Sequence, residues 1–472
     1  MKKRVIAVFL LICMLAVLPA CGSDSVTEKD LMALPEFPAV YNMGVNVYVN
    51  VNGDVYTWGY DRYNNYIDKY GNGGYNVSLG QGTEILYNNT PTLIYQNISY
   101  IFFNRITTAD GQMVEWSKLL EDTACVPHIV RGDRTDIYMA YANVYLTDNG
   151  DLYAVYEMEE ADQKIPYGTE DTLILKNVVQ FEGRYALKSD GTVWALERDR
   201  DTKMYNGAKK FMDSVSEIVD GEYTDTTLFL KTDKTLWTYG DNEYGQCGNG
   251  EYGDWDNSTL DYIDEPYMVM KNIEKAWVGR GHCFALDTEG NLYGWGLNDY
   301  NLLLDENYVQ SSYEDHNWSG RQIIAEPKFI MSDVKDLFES IPVVFVIKTN
   351  DTLWAWGAAD RGEMGNRKFA EGASLNTFDM AHLIIGKDAM ICGAEKILDD
   401  VDRMIGTTMG LNFALKKDGT IMYWGYGEVY VNADDDWDTD MSQAYRTEAY
   451  TKHYIIPTPQ VFDVETFQSE YQ

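Results

Sequence analysis

Histidine is scarce in this 472-residue chain, with five in all. His128, His282, His316, His382 and His453 stand singly, without H-E-x-x-H or His-x-His spacing, which excludes the common helical zinc and metalloprotease patterns. No G-x-S-x-G occurs, so a nucleophile-elbow hydrolase is excluded too. The glycine cluster Gly71-Asn72-Gly73-Gly74 does not sit between a strand pattern and a helix pattern, and so makes no phosphate cradle. Cysteine forms no C-x-x-C pair. Cys13 and Cys21 lie near the N-terminus, while Cys125, Cys247, Cys283 and Cys392 are far apart, so zinc is not indicated. These four are expected as buried apolar fillers, with one or two bridges left open if the protein is exported.

Basic residues are also few. Lys and Arg number 38 against 74 acids, a formal charge of -36. That sign opposes binding to nucleic acid and to anionic lipid, both of which need clustered cations. It suits solubility, or a cationic partner. Proline is limited to 11 residues. Strings of ten or more helix-compatible residues are rare, and Ala381 to Lys396 is the best candidate for one short helix.

What the chain has in quantity is aromatic residues, 14% of the total, including 36 Tyr and 12 Trp, which favour strands. It also has one pattern repeated eight times. The clearest copy is FALKKDGTIMYWG, Phe413 to Gly425: an apolar strand, a tight polar turn, and a second strand ending in an aromatic residue and glycine. The turn anchors are Gly53, Gly111, Gly150, Gly191, Lys234, Gly290, Asp351 and Gly419, at intervals of 39 to 68 residues. Periods of that size indicate propellers, solenoids or arrays. Asn-Gly and Asp-Gly turns supply the positive φ angles of a hairpin tip; Lys234 and Asp351 lack the glycine and predict strained turns or turns of another type. Apolar residues recur four before the anchor in seven of the eight copies, Thr107 being the exception, and two after it in all, with bulky ones three and five after. A strand apolar on both faces must lie between sheets. A ring of radially packed four-stranded blades provides this without helices.

These copies resemble the repeats of the regulator-of-chromosome-condensation family. Gly279 to Leu286, Gly290 to Gly296, and Asp241 to Gly250 follow its pattern G-x-x-H-x-x-A-L-x-x-D-G-x-L-Y-x-W-G-x-N-x-x-G-Q-L-G, with Cys247 at a leucine position. The resemblance implies an all-β chain with a single β-propeller of seven or eight four-stranded blades. It also implies that His282 is a hydrogen-bonded packing residue. The family's nuclear exchange-factor and chromatin role conflicts with the N-terminus and the charge.

The N-terminus reads as an export signal over residues 1–20, with Lys2, Lys3 and Arg4 ahead of an apolar run from Val5 to Leu18. Leu18-Pro19-Ala20-Cys21 resembles a bacterial lipobox, which implies lipidation at Cys21. Residues 21–35 then form a lipidated tether and 36–465 the propeller. Five long insertions follow the W-G ends: Tyr60 to Thr90, Asp241 to Glu265, Leu297 to Glu326, Ala358 to Gly386 and Tyr426 to Ile456. Attached at equivalent points, they are expected on one rim. Their Tyr63, Tyr66, Tyr70, Tyr244, Tyr252, Trp255, Tyr300, Tyr313, Trp318 and Trp437 are candidate partner-binding residues. The acidic run Asp434 to Asp440 lacks the glycine and terminal glutamate of a calcium loop and reads as a solvated loop. No catalytic, cofactor or metal residue is assigned. The expectation is a monomeric, non-enzymatic binding module, lipid-anchored outside a bacterial membrane, that recognises a protein, peptide or glycan. The alternatives are a glycan-active enzyme or an inhibitor of an envelope enzyme.

Overall fold

Every repeat forms a hairpin in the same register. The residue four before the turn anchor pairs with the one two after it: Val49↔Val55, Thr107↔Met113, Leu146↔Leu152, Leu187↔Val193, Leu230↔Leu236, Leu286↔Leu292, Ile347↔Leu353 and Leu415↔Ile421. The computed structural model describes residues 37–42, 46–60, 87–102, 105–109, 113–115, 128–129, 137–141, 144–147, 149–154, 172–198, 205–221, 224–253, 262–309, 322–340, 342–359, 361–368, 390–407, 410–430, 451–464 and 467. Each hairpin supplies the two middle strands of a four-stranded antiparallel unit. The described residues hold eight such units, each built from consecutive strands. Of the two counts the repeats allow, eight blades is therefore the observed one. The second copy, whose Thr107 departs from the apolar pattern, keeps its place in a short blade of Ile98–Phe102, Arg105–Thr108, Met113–Glu115 and His128–Ile129.

Blades are held together by side chains that straddle their boundaries. Between the sixth and seventh, Phe284, Leu286 and Leu292 pack with Val334, Leu337, Val344 and Trp356. Between the fifth and sixth, Leu228, Leu230 and Leu236 meet Ile273, Ala276 and Trp295. Burying an aliphatic side chain of this size stabilises by about 1.5–3 kcal/mol, so each boundary is a small core of its own. The ring closes between the first blade (Ala39–Asn42, Asn46–Val49, Val55–Tyr60, Tyr87–Tyr95) and the eighth (Val401–Thr407, Leu411–Lys416, Ile421–Tyr430, Thr451–Val461). Their inner strands make one parallel pairing, Val40↔Gly406. Trp58 packs edge-on against Phe413 and Phe467, with centroids 6.5 and 5.7 Å away. No strand is exchanged between the two ends.

The hairpin tips lie on one rim of the ring. There the tip carbonyl accepts the first N–H of the next blade's inner strand, as in Ile98 to Gly53, Val178 to Gly150, Ile273 to Lys234 and Val401 to Asp351, at 2.8–3.0 Å. Lys234 and Asp351 keep the left-handed conformation of the glycines they replace, with φ of 63° and 61°, so these turns are strained and not of a different type. Lys234 pairs with Glu274 at 2.9 Å, and Asp351 with Lys335 and Lys417. A second left-handed residue precedes the inner strand: Asn97, Asn177, Ser214, Asn272, Asp333 and Asp400, all with φ of 59–61°. The sequence carried this signal, an Asn, Asp or Ser just ahead of Ile or Val, since short polar side chains tolerate that conformation. Each of those inner strands then bulges one residue on, where the register slips past Ser99, Val179, Ser216, Glu274, Lys335 and Asp402.

Outer strands are edge strands and risk pairing with other chains. Pro91, Pro266, Pro327, Pro457 and Pro459 interrupt four of them, removing donors from the exposed ladder. The helix expected over Ala381 to Lys396 is corrected. Ile391–Leu398 is the outer strand of the seventh blade, paired through Trp354↔Lys396 and Gly357↔Cys392. The open edge of the blade outweighs the local helix propensity of Ala394, Glu395 and Lys396; residues 381–389 lie outside the described residues. Among the described residues there is no α-helix, and none that could cross a membrane.

Candidate partner-binding rim

The opposite rim carries the turns between inner and second strands together with the segments that follow the W-G ends. Backbone bonds place them side by side: Asp241 N–H to Asp225, Leu297 to Gly281, Ala358 to Pro342 and Tyr426 to Gly410. The glycine of W-G follows from this approach. Gly296 has φ +101°, and a Cβ there would stand 2.5 Å from the Gly281 carbonyl oxygen. The insertions are thus rooted at equivalent points on one rim, as their spacing predicts.

The first ten or so residues after three of those glycines are scaffold, however. In the fifth blade, Asn242 is buried and its Oδ1 accepts the Cys247 N–H at 2.9 Å; in the sixth, Asn298 does the same for Leu303 at 2.8 Å. Each segment curls into a tight turn whose carbonyl receives the buried tryptophan of the next blade. Trp295 Nε1 donates to Gln246 at 2.8 Å, Trp356 to Leu302 at 2.7 Å and Trp424 to Glu363 at 2.9 Å. The insertion bounds drawn from the sequence, such as Asp241 to Glu265 and Leu297 to Glu326, take in these turns. Their first residues are scaffold because a buried carbonyl and a buried indole N–H each need a partner.

The candidate residues divide accordingly. Tyr244 is half-buried and its ring lies against Gly281. Tyr300 is half-buried in a 3-10 turn, Asp299–Asn301, and packs on the core of the sixth and seventh blades. Tyr252 stands 47% exposed at the end of the fifth-blade turn. Tyr63, Tyr66, Tyr70, Trp255, Tyr313, Trp318 and Trp437 lie outside the described residues, as do Cys21, Cys125 and the acidic run 434–440. Cys247, Cys283 and Cys392 are free and buried. Burial pushes the Cys247 thiol up to about 12 and raises Cys283 as well, so both are inert fillers.

A polar cluster that the sequence did not announce joins the fourth and fifth blades on this rim. Arg184, in the turn after Val178–Glu182, lies over the rings of Tyr185 and Tyr239 at 5.3 and 5.9 Å and donates to the Tyr185 hydroxyl at 3.1 Å. Tyr262, 44% exposed, packs edge-on against Tyr239 at 5.7 Å. Beside them, burial raises the Asp220 carboxyl above its usual range, and the Asp225 charge adds to this; a 2.7 Å hydrogen bond from Thr227 opposes it. Burial likewise raises Asp241, whose neighbours Glu243 and Asp225 repel a second charge. Farther round, His282 is 2% exposed, with Nε2 3.0 Å from Glu339 Oε1 of the seventh blade. Neither atom makes an aligned hydrogen bond to a described residue. His282 is thus a packing residue between blades, as the resemblance implies, but its partner is a carboxylate in poor alignment. No group of three or more His, Cys, Asp or Glu among the described residues could hold a metal ion. What the cluster at the fourth and fifth blades offers is tyrosine rings, hydroxyls and carboxylates around the Arg184 guanidinium, a set suited to recognition.

Comparison with known proteins agrees with the repeat pattern. Residues 278–301 match the family model described as "Regulator of chromosome condensation (RCC1) repeat". Protein RCC1 of Candida albicans is 26% identical over 161 residues, 34% of this chain and 33% of that protein. Protein pim1 of Schizosaccharomyces pombe is 24% identical over 180 residues, 37% of this chain and 31% of that one. The chain thus spans about a third of the length of the curated relatives it matches. Among solved structures, Prp20p of Saccharomyces cerevisiae, described with its binding to Gsp1p and histones, is 17% identical with a TM-score of 0.43, covering 71% of this chain and 80% of that one. Human WBSCR16 is 14% identical with a TM-score of 0.41, covering 79% and 88%.

Proposed function

We propose that this chain, an RCC1-repeat β-propeller, is a non-catalytic binding module held by lipid on the outer face of a bacterial membrane and engaging a protein, peptide or glycan through its insertion rim. The observation that carries the binding role is the common rooting of the insertions: equivalent bonds such as Leu297 to Gly281 and Tyr426 to Gly410 set them on one rim. Loops on a rigid scaffold are where binding residues concentrate. The segment from Asp241 to Glu265 carries eight acids and no lysine or arginine, and it displays Tyr252 and Tyr262 among them, which favours a partner with cationic groups. The lipobox-like Leu18-Pro19-Ala20-Cys21 supports the anchor. A monomer is the expected state.

Crosslinking on intact cells, followed by identification of the attached species, tests this. Capture of one partner by the whole chain, lost when residues 254–261 and 310–321 are replaced by short glycine-serine links, is the expected result. Undiminished capture by that variant overturns the role of the rim.

A further inference from the structure

We infer that the hairpin rim of the ring faces the lipid bilayer and the insertion rim faces away from it. The inference rests on the lipid anchor proposed above and adds an orientation that the anchor alone does not supply. Its basis is where the chain joins the ring. The inner strand of the first blade begins at Ala39, which pairs with Val49, the last residue before the hairpin tip at Asn50 to Gly53. The Pro38 carbonyl is held by Arg403 Nη1 at 3.1 Å, on the inner strand of the eighth blade. The chain therefore arrives on the hairpin rim, at the innermost strand.

Length favours one of the two orientations. Residues 22–36 separate Cys21 from Phe37, and fifteen residues reach at most about 50 Å. To set the insertion rim on the bilayer, the tether would have to run outward under a four-stranded blade, about 15 Å, and then climb past strands of about 20 Å. That detour of about 35 Å would take up roughly two-thirds of the reach before the tether met the surface. With the hairpin rim toward the bilayer no such path is needed.

Charge points the same way, from separate residues. Lysine closes the second strand in four blades, as Lys188, Lys231, Lys348 and Lys416, and Lys176 and Lys271 precede two of the left-handed turns. These partly offset the turn carboxylates of that rim, such as Asp190, Asp233 and Asp418. The segment from Asp241 to Glu265, which is rooted on the other rim, carries eight acids and no lysine or arginine. Anionic headgroups repel that rim and tolerate this one.

The test uses the full chain in protoplasts, in a Cys125→Ser background because the other mature cysteines in the ring are buried. Two matched exposed positions are labelled with a bulky impermeant maleimide: Val51→Cys on the hairpin rim, 56% exposed, and Val309→Cys on the insertion rim, 76% exposed. The same pair is made in a Cys21→Ala chain released in soluble form. In the released chain both positions are expected to react at similar rates. In the anchored chain, which acyl chains hold at the surface, Val51→Cys is expected to react roughly tenfold more slowly than Val309→Cys. Equal rates in the anchored chain, or a slower Val309→Cys, overturn the orientation and leave the anchor standing. A Cys21 chain that is neither lipid-labelled nor membrane-bound overturns the anchor and the orientation together.

Discussion

The indole N–H of Trp356 reaches across a blade boundary to the carbonyl of Leu302, 2.7 Å away and buried. The same bond joins Trp295 to Gln246 and Trp424 to Glu363, but those carbonyls have second donors: Cys283 Sγ at 3.4 Å and Asn412 Nδ2 at 3.0 Å. The three bonds therefore differ in what remains when the indole N–H is removed. A buried carbonyl left without a donor costs about 1–3 kcal/mol, whereas one that keeps a donor loses much less. Trp356→Phe is expected to destabilise most and Trp424→Phe least, as read from denaturant midpoints at unchanged m-value. Equal losses at the two positions would remove the distinction drawn here.

Gly53 and Gly419 occupy the same turn position with φ of +77° and +89°, in different surroundings. A Cβ on Gly53 would lie 2.5 Å from the Ile98 carbonyl oxygen, while nothing lies within 4 Å of one on Gly419. Gly419→Ala should cost only the left-handed backbone, about 1 kcal/mol. Gly53→Ala adds a backbone clash and should cost at least about twice that. Thermal unfolding of the two variants compares them directly.

At Lys234 the strain and the ion pair with Glu274 oppose one another. An exposed pair contributes roughly 0–1 kcal/mol, about as much as the left-handed backbone costs a side chain. Lys234→Gly is expected to leave stability unchanged or slightly raised. Lys234→Ala keeps the strain, loses the pair, and should be less stable than Lys234→Gly by about 1 kcal/mol.

Asp220 gives a pH dependence with a definite sign. Its folded carboxyl titrates above the ordinary value of 3.8, chiefly because it is buried. Between those two values the folded state holds the proton more tightly than the unfolded state, so this group's contribution falls as pH rises through that window and stays low above it. Asp220→Asn should therefore be as stable as the parent or more stable at pH 7. Its advantage should disappear as pH falls through the window toward 3.8. Denaturant midpoints of both proteins across that range measure the difference. An Asp220→Asn chain that is less stable at neutral pH but not under acid would reverse the sign.

Local features were the legible ones. Alternation around Asp418-Gly419 and its seven counterparts made the hairpins and their register legible and narrowed the blade number to seven or eight, because period and turn chemistry reside within thirteen residues. The staples were not legible, since nothing near Gln246 or Leu302 indicates that a tryptophan 49 or 54 residues later will donate to it. Buried Asn242 and Asn298 were the available hint: an asparagine two residues after the closing glycine in consecutive repeats, after Tyr239-Gly240 and after Trp295-Gly296, is there for a buried bond. The cluster of Arg184, Tyr239, Tyr262 and Asp220 draws on two blades and several strands, and no single repeat contains it. Ala381 to Lys396 predicts a helix because residues such as Ala394, Glu395 and Lys396 are good helix formers, and only the neighbouring strand makes its last part, within Ile391–Leu398, extended.

Because each blade is a single uninterrupted stretch of chain and the ends share no strand, a gene could gain or lose one whole repeat in frame without rewiring any sheet. Only the seam of Val40, Trp58, Phe413 and Phe467 would have to be refitted to a ring of different circumference. The number of blades is on this view an inheritable length, open to duplication and deletion, and the seam is where selection would act after each change.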